Sequence, residues 1–251
     1  MRLSVIIPVY NESQQITKTI QTLRATLDIL YKDDYELIIV NDGSIDDTEQ
    51  FIVGVKKGVF FKNQGKGLAL KAGVLLSDPL SEYLAFVDGD LQIHPKEIST
   101  FVNLMGIYNA DVVIGNKRHQ WSKVEYTFRR RIVSDVYNWL VRQMFGFDFR
   151  DTQCGLKLFT RQSLLKSIEK TLNKGFGFDL ELLVSLREQG FRVIDAPVTV
   201  SKQLNSGSVS VVNIFKTWSE TYKTWRRKKK GHYDKCDNSL PAQGRSPFLP
   251  R

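Results

Sequence analysis

The chain has 251 residues, 42% of them hydrophobic and 25% charged, which is the composition of an ordinary globular protein with a sizeable core. No run of 18 or more apolar residues occurs, so a membrane-spanning helix is not predicted, and the first residues lack the pattern of a secretory signal. Two cysteines exclude a disulfide-rich scaffold, and three scattered histidines give no zinc-site spacing.

The formal net charge of +9 is concentrated near the C-terminus. Seven basic residues and one acid, Glu220, lie between Lys216 and Lys230, so this short segment carries +6 and leaves +3 for the rest of the chain. A charge confined to one segment indicates a local contact with an anionic surface rather than a uniformly basic protein.

Strand and helix patterns alternate along the first half of the chain. Helical periodicity is clearest where Ile16, Ile20, Leu23, Leu27 and Leu30 recur at intervals of three and four residues. Alternation of this kind predicts βαβ units and a mostly parallel sheet. The predicted strands are 3–9, 36–40, 59–61, 83–87 and 112–114, and the predicted helices are 16–30, 66–76 and 95–108.

Two amphipathic helices are predicted in the second half, over 123–145 and 211–225. The aromatic side of the second, which includes Trp218, Tyr222 and Trp225, is followed by five consecutive basic residues at 226–230. This combination is typical of a helix lying in a membrane interface; the alternative is a C-terminal helix packed on the core beside a solvated run of charge. Residues 1–230 are predicted to form one domain, and residues 231–251 a disordered polar tail.

An acidic motif follows the predicted strand 83–87. Asp88 and Asp90 lie one residue apart and Gln92 follows, at the edge of an open α/β sheet where ligands bind. Two carboxylates at this spacing can reach one Mg²⁺, which is usually held by one or two carboxylates and substrate phosphates. Alone, the motif could equally be an acidic turn.

Three other motifs lie at the ends of predicted strands or at the start of a predicted helix. Pro8, Tyr10 and Glu12 close the first strand, and Asp42 closes the second, where an acidic side chain can accept from a ribose hydroxyl or a base N–H. Helix-cap and turn chemistry is the alternative for each. Lys66 lies between two glycines at a helix N-terminus, a plausible anion site.

In this order, segments 5–12, 40–44, 63–67 and 88–92 resemble family 2 glycosyltransferases of the GT-A fold. Segments 151–159 and 177–183 narrow the resemblance to the dolichyl-phosphate and polyprenyl-phosphate glucosyltransferases and mannose synthases, over about residues 1–225. The resemblance implies a Rossmann-like α/β fold, a mostly parallel sheet flanked by helices, with amphipathic membrane-surface helices in the second half.

The resemblance also implies roles for individual residues. A divalent cation, Mg²⁺ or Mn²⁺, would be held by Asp88, Asp90 and Gln92. The nucleotide would be bound by Pro8, Tyr10, Glu12, Asp42, Lys66 and Asp88. The acceptor phosphate would be bound by Arg118, Arg130 and Ser134, with Arg131 as an alternative to Arg130. Catalysis would depend on Asp90, Arg118 and Asp179, and Asp179, a possible base in relatives with hydroxyl acceptors, is expected to orient substrate here.

The implied reaction is inverting transfer of a sugar from a nucleotide-sugar, with UDP-glucose as the expected donor, to a polyprenyl or dolichyl phosphate. The expected partners are these substrates and an anionic membrane surface, with no nucleic acid, and the expected location is peripheral on the cytoplasmic face. Three alternatives stay open: GDP-mannose as donor, a sugar hydroxyl as acceptor in polysaccharide synthesis, and a non-catalytic basic module that binds nucleic acid or acidic lipid.

Overall fold

The computed structural model describes residues 2–123, 128–149, 151–175, 177–200 and 211–235, without the side chains of residues 128–135 and 211–215. These residues form an α/β fold with seven strands and seven α-helices. The strands are β1 (Leu3–Val9), β2 (Tyr35–Asn41), β3 (Lys56–Val59), β4 (Tyr83–Phe86), β5 (Val112–Asn116), β6 (Lys157–Thr160) and β7 (Val193–Pro197). The helices are α1 (Ile16–Tyr31), α2 (Lys66–Leu76), α3 (Glu97–Tyr108), α4 (Phe128–Phe145), α5 (Arg161–Ile168), α6 (Phe178–Glu188) and α7 (Val211–Lys229).

The strands of the described residues form a single sheet in the order β3-β2-β1-β4-β6-β5-β7. The predicted mostly parallel sheet is confirmed: only β6 runs antiparallel, between β4 and β5. The predicted strand 59–61 overlaps the observed strand only at its first residue, since β3 occupies Lys56–Val59. β3 is an edge strand with exposed lysines, so its sequence contains no apolar run from which its bounds could be predicted.

Helices cover both faces of the sheet, and the strand residues alternate between them as a period of two requires. Ile6, Ile38 and Leu84 share one core with α2, α5 and α6. On the other face, Val5 and Ile39 pack with α1 and α3. This burial on both faces explains why the central strands read as continuous apolar runs.

The two amphipathic helices pack on each other and on the core. The rings of Tyr137 in α4 and Trp218 in α7 meet edge to face at 5.4 Å, and the Tyr137 hydroxyl is 3.0 Å from Thr221 Oγ1. Trp225 is partly buried against the core. The aromatic side predicted for α7 therefore faces partly inward, while Tyr222 stays 54% exposed.

The chain continues to pack on the domain after α7. Tyr233 is fully buried and belongs to the core on the α6 side of the sheet, so ordered structure extends past the predicted boundary at residue 230. Residues 236–251 of the predicted tail lie outside the described residues. No helix in the described ranges is both long enough and apolar enough to cross a bilayer.

The strand order reverses between β1 and β4. From β1 the chain moves outward to β2 and β3 and then returns to β4 on the other side of β1. In open α/β sheets, the crevice at the carboxyl ends of two such strands is where ligands bind. The segments that follow β1, β2 and β4 all reach this edge, because these three strands run parallel.

Candidate active site

The acidic motif forms a tight turn directly after β4. Leu91 has a φ of 45°, a left-handed conformation that is uncommon for a bulky apolar residue, and its N–H donates to the carbonyl of Asp88 at 3.1 Å. The turn brings Gln92 onto Asp90, with Nε2 donating to Oδ2 at 2.7 Å. The three residues predicted as metal ligands thus lie in one turn at the switch point.

Negative charge accumulates at this turn. Burial raises the pKa of Asp90, and the neighbouring Asp88 carboxylate raises it further. Burial likewise raises the pKa of Glu12, and the negative charges of Asp90 and Asp88 also raise it. A partly buried group of three acids favours a cation beside it.

Lys66 supplies one positive charge to this group. It is the first residue of α2, and its Nζ lies 2.8 Å from Asp88 Oδ1 and 3.3 Å from Asp179 Oδ2. Although burial by itself lowers the pKa of Lys66, Asp179 and Asp88 together raise it. Lys66 therefore stays charged and links the acidic turn to α6.

Asp179 is held from both sides by lysines. Its Oδ1 is 2.6 Å from Nζ of Lys157, a residue that is only 1% exposed and that also donates to the Cys154 carbonyl at 2.6 Å. Burial favours the neutral acid, but Lys157 and Lys66 outweigh it and lower the pKa of Asp179. Asp179 is therefore an ionised carboxylate with both oxygens occupied, which suits positioning better than proton abstraction.

Lys117 is a site residue that the sequence reasoning missed. It lies just after β5, and its Nζ donates to Gln92 Oε1 at 3.0 Å. It lines a small cavity together with Asp88 and Asp90. Two neighbouring basic residues after a buried strand were visible in the sequence, but only the second, Arg118, was assigned.

Gly155 makes room for the acidic turn. A Cβ built on this residue would lie 2.0 Å from Asp88 Oδ2, so any side chain there would displace the carboxylate. The loop between α4 and β6 therefore approaches the Asp88 side chain closely. The segment 151–159, which narrowed the family resemblance, thus contributes a wall of the site.

Asp42 binds the loop that precedes Lys66. Its two carboxylate oxygens accept from the backbone N–H groups of Gln64 at 2.7 Å and Gly65 at 2.9 Å. Gly65 has a φ of 100°, and a Cβ on it would lie 2.4 Å from the carbonyl oxygen of Lys174. Asp42 is only 4% exposed, so in this structure it fixes the shape of the loop.

The other predicted nucleotide residues surround the same edge. Pro8 lies in β1 opposite Val40 of β2. Tyr10 is 43% exposed at the carboxyl end of β1, where its ring is open to a ligand. The next residue, Asn11, has a φ of 56° and accepts from the Ile45 N–H at 3.0 Å, which ties the end of β1 to the segment after β2.

The predicted acceptor-phosphate residues are described only in part. Arg118 is half-buried after β5, and its backbone N–H donates to Asn116 Oδ1 at 2.8 Å. Arg130, Arg131 and Ser134 lie in the first two turns of α4, and their side chains lie outside the described part of the chain.

The acidic turn fits a divalent cation that is coordinated partly by protein side chains and partly by the substrate. Among the described residues, no group of three or more His, Cys, Asp or Glu side chains could hold a metal. Asp88 and Asp90 instead offer two carboxylates, the number that Mg²⁺ commonly takes beside substrate phosphates. Lys66 and Lys117 already contact oxygens of Asp88 and Gln92, so the donor set attracts positive charge.

The sequence profile of glycosyl transferase family 2 matches residues 4–171, which is more than half of the chain. The chain belongs to this family. It is 33% identical over 212 residues to the dolichyl-phosphate beta-glucosyltransferase ALG5A of Trichomonas vaginalis, an alignment that covers 78% of this chain and 64% of the relative.

This family 2 member is also similar to two further curated proteins. The dodecaprenyl-phosphate galacturonate synthase of Rhizobium johnstonii is 28% identical over 67% of this chain and 50% of its own length. Glycosyltransferase AglD of Haloferax volcanii is 26% identical over 90% of this chain and 37% of its own. The chain thus spans between 37% and 64% of the length of these three curated relatives.

Solved structures share the fold. Glucosyl-3-phosphoglycerate synthase of Mycobacterium tuberculosis in complex with UDP gives a TM-score of 0.69 at 19% identity, covering 90% of this chain and 80% of that one. The same enzyme with Mn²⁺, UDP-glucose and phosphoglyceric acid gives 0.64 at 20% identity, with 88% and 80% covered. The predicted GT-A fold is confirmed.

Proposed function

We propose that this family 2 member transfers a sugar, with inversion, from a nucleotide-sugar to a polyprenyl or dolichyl phosphate. The observation that carries the proposal is the cluster at the switch point, where the paired carboxylates Asp88 and Asp90 meet Lys66 and Lys117. Cations and carboxylates at one edge of the sheet suit a donor that carries a diphosphate.

The state of Asp179 supports a phosphate acceptor. A sugar hydroxyl needs a general base, but Asp179, a buried carboxylate beside the site, is ionised and paired with Lys157 and Lys66, which lower its pKa. A phosphate monoester has a second pKa near 6 and is largely dianionic at neutral pH, so it needs no base. Attack by a lipid phosphate oxygen on the anomeric carbon then requires only that the two substrates be held in line.

The residues divide this work between them. Asp88, Asp90 and Gln92 would hold Mg²⁺ or Mn²⁺, which supplies charge neutralisation to a nucleoside diphosphate leaving group. Pro8, Tyr10, Glu12 and Asp42 would enclose the nucleoside, and Lys66 and Lys117 would contact the diphosphate. Arg118, Arg130, Arg131 and Ser134 would bind the acceptor phosphate, since arginines bind phosphate oxygens in pairs of hydrogen bonds.

UDP-glucose is the proposed donor. The relative from Trichomonas vaginalis is named a dolichyl-phosphate beta-glucosyltransferase, and the structural neighbour was solved with UDP-glucose and Mn²⁺. These names support both the sugar and the nucleotide. Mn²⁺ and Mg²⁺ are proposed as alternatives, because both take carboxylate and phosphate oxygens.

An anionic membrane surface is the proposed site of action, on the cytoplasmic face. The single acid of α7, Glu220, accepts from the backbone N–H of Gly177, so α7 presents no acidic side chain of its own outward. Trp139 of α4, the helix that packs against α7, is 58% exposed. Exposed basic residues of α7 and the residue after it are Lys216, Lys223, Arg226, Lys229 and Lys230.

An acceptor exchange tests the proposal. Purified protein with UDP-glucose and Mn²⁺ is given a short polyprenyl phosphate or the polyprenol of the same length, and lipid products are identified by mass spectrometry. The expected product is a glucosylated polyprenyl phosphate, with no product from polyprenol and none from an Asp90→Asn variant. Glucosylation of polyprenol at a comparable rate would contradict a phosphate nucleophile.

A further inference from the structure

The helix that carries Asp179 is capped by a residue of another helix. Gly177, which precedes α6, has no side chain to cap it, and its N–H donates instead to Glu220 Oε2 at 2.6 Å. A Cβ on Gly177 would lie 2.6 Å from Glu220 Cβ, and a Cβ on Gly175 would lie 3.2 Å from Oε1. The two glycines therefore leave the space in which the Glu220 carboxylate lies.

A second contact fixes α7 to the same helix one turn further on. Glu181 is fully buried, and its Oε1 receives Nη1 of Arg227 at 2.6 Å and the hydroxyl of Tyr233 at 2.5 Å. Its Oε2 accepts from the backbone N–H groups of Leu172 at 2.8 Å and Asn173 at 2.6 Å. Glu181 thus joins α6, α7 and the loop before α6 in one hydrogen-bonded cluster.

The loop between α5 and α6 also contacts the part of the site that would bind the nucleotide-sugar donor. The carbonyl of Lys174 accepts from the Gly67 N–H at 2.7 Å, and Gly67 is the residue after Lys66. In the first turn of α6, Asp179 receives the Lys66 ammonium at 3.3 Å. The loop therefore contacts the residue after Lys66, and the first turn of α6 contacts Lys66 itself, which in turn contacts Asp88 of the acidic turn.

We propose that Glu220 is a positioning residue for the donor site, a role that rests on the proposed function. It acts through the N–H of Gly177 and so sets the first turn of α6, where Asp179 orients Lys66 toward Asp88. A cap supplied by α7 makes the donor site dependent on this helix, although no residue of α7 lies in the acidic turn. Loss of the cap therefore weakens donor binding and leaves acceptor binding unchanged.

Three variants separate this role from a general contribution to stability. Glu220→Ala removes the cap, Glu220→Gln keeps an oxygen that can accept from Gly177, and Ser219→Ala changes an exposed neighbour on the same helix. Dissociation constants for UDP with Mn²⁺, and for GDP with Mn²⁺, are measured by calorimetry on each folded variant. Michaelis constants for donor and acceptor are measured in parallel, with melting temperatures as the control for folding.

Glu220→Ala should weaken binding of the nucleotide that the wild type prefers by about 5-fold, the size of one lost helix cap, and should raise the donor KM similarly. Glu220→Gln should restore binding to within about 2-fold, and the acceptor KM should not change in any variant. A lower melting temperature with wild-type nucleotide affinity and donor KM would overturn the proposal. If the alanine variant does not fold, Glu220→Met, which keeps the length of the side chain but offers no oxygen to the Gly177 N–H, decides by the same criterion.

The wild type separates this inference from the proposed function. If it binds neither UDP nor GDP with Mn²⁺, the proposed function fails and the role of Glu220 fails with it. If the wild type binds nucleotide and Glu220→Ala binds equally well, the proposed function stands and only the role of Glu220 is refuted.

Discussion

At the scale of single residues, the acidic turn is arranged to receive a cation. At Asp90, charge and burial conflict, because burial and Asp88 both raise its pKa. A divalent cation beside this carboxylate would stabilise its ionised form. The turn also strains the backbone at Leu91, a feature that is common at ligand sites.

Asp90→Asn should abolish turnover without unfolding the protein. The amide keeps the volume of the side chain but weakens metal binding, and the loss of charge neutralisation at the leaving group should cost roughly 100-fold or more in kcat. Steady-state kinetics with Mg²⁺ and Mn²⁺ measure the effect, and the melting temperature should stay close to that of the wild type. Near-normal activity would remove Asp90 from the metal site.

Gly155→Ala should disable the site by a steric route. The new methyl group would lie 2.0 Å from Asp88 Oδ2, so the carboxylate must leave its present position beside Lys66. We expect activity to fall at least about 10-fold, as for other disturbed supports of metal ligands. Gly106→Ala in α3 is the control, since a Cβ at Gly106 meets no atom within 4 Å and this glycine does not have a positive φ. Unchanged kinetics in Gly155→Ala would show that this close approach is unimportant.

Asp179→Asn should destabilise the fold in a pH-dependent way. It leaves Lys157 buried without its counter-ion, a loss of about 3–5 kcal/mol. Because the folded pKa of Asp179 is lowered from its ordinary value of 3.8, its stabilising effect is complete above that value and disappears as the pH falls through the folded pKa. Urea unfolding between about pH 2 and 7 should show a difference in stability between wild type and variant that is constant above about pH 4 and shrinks below it; a difference that stays constant down to the acid end would contradict the pairing.

At the scale of elements, the sequence predicted best where one physical signal dominated. The helix 66–76 and the strand 3–9 were predicted with the bounds that the structure has, because each joins a clear period or apolar run to a turn signal. The strands β6 and β7 and the helices α5 and α6 were not predicted as elements. β6 is only four residues long and pairs with β4 and β5, and nothing local to its sequence encodes those partners.

The orientation of α7 could not be predicted for a related reason. Its aromatic residues recur at helical spacing, which fixes a face but not what that face meets. The structure places Trp218 against Tyr137 and leaves Trp139 and Tyr222 exposed. Nor could Glu220 be recognised as a cap, since its partner Gly177 lies 43 residues earlier.

Substitutions on these two helices should separate packing from membrane contact. Trp218→Ser should lower the free energy of unfolding by about 2 kcal/mol, because a half-buried aromatic contact is lost. Trp139→Ser should leave stability within about 0.5 kcal/mol but weaken binding to anionic vesicles about 3-fold or more. Vesicle sedimentation and thermal unfolding measure the two effects.

The exposed Phe61, which lies just beyond β3, provides a control for vesicle binding. Phe61→Ser removes an aromatic side chain that is more exposed than Trp139 and should bind vesicles as the wild type does. If Phe61→Ser weakens vesicle binding and Trp139→Ser does not, the membrane surface lies elsewhere than on the two amphipathic helices.

At the scale of the whole molecule, the site is assembled from distant segments by the topology of the sheet. Asp42 and Asp88 follow the strands β2 and β4, whereas Lys66 and Asp179 lie in the first turns of α2 and α6. The reversal of strand order beside β1 brings these four residues to one edge. The sequence motifs predicted this edge, since each polar group follows a buried strand or opens a helix. They could not predict Lys117, whose role depends on Gln92 lying beside it.

A nucleotide-release assay tests the central claim most directly. Wild-type protein and Asp90→Asn are incubated with Mg²⁺ or Mn²⁺ and a panel of UDP- and GDP-sugars, with and without a short polyprenyl phosphate. We predict that the wild type releases UDP from UDP-glucose only when the lipid phosphate is present, and that the variant releases none. Equal release without the lipid, or no release from any donor, would contradict transfer to a polyprenyl phosphate.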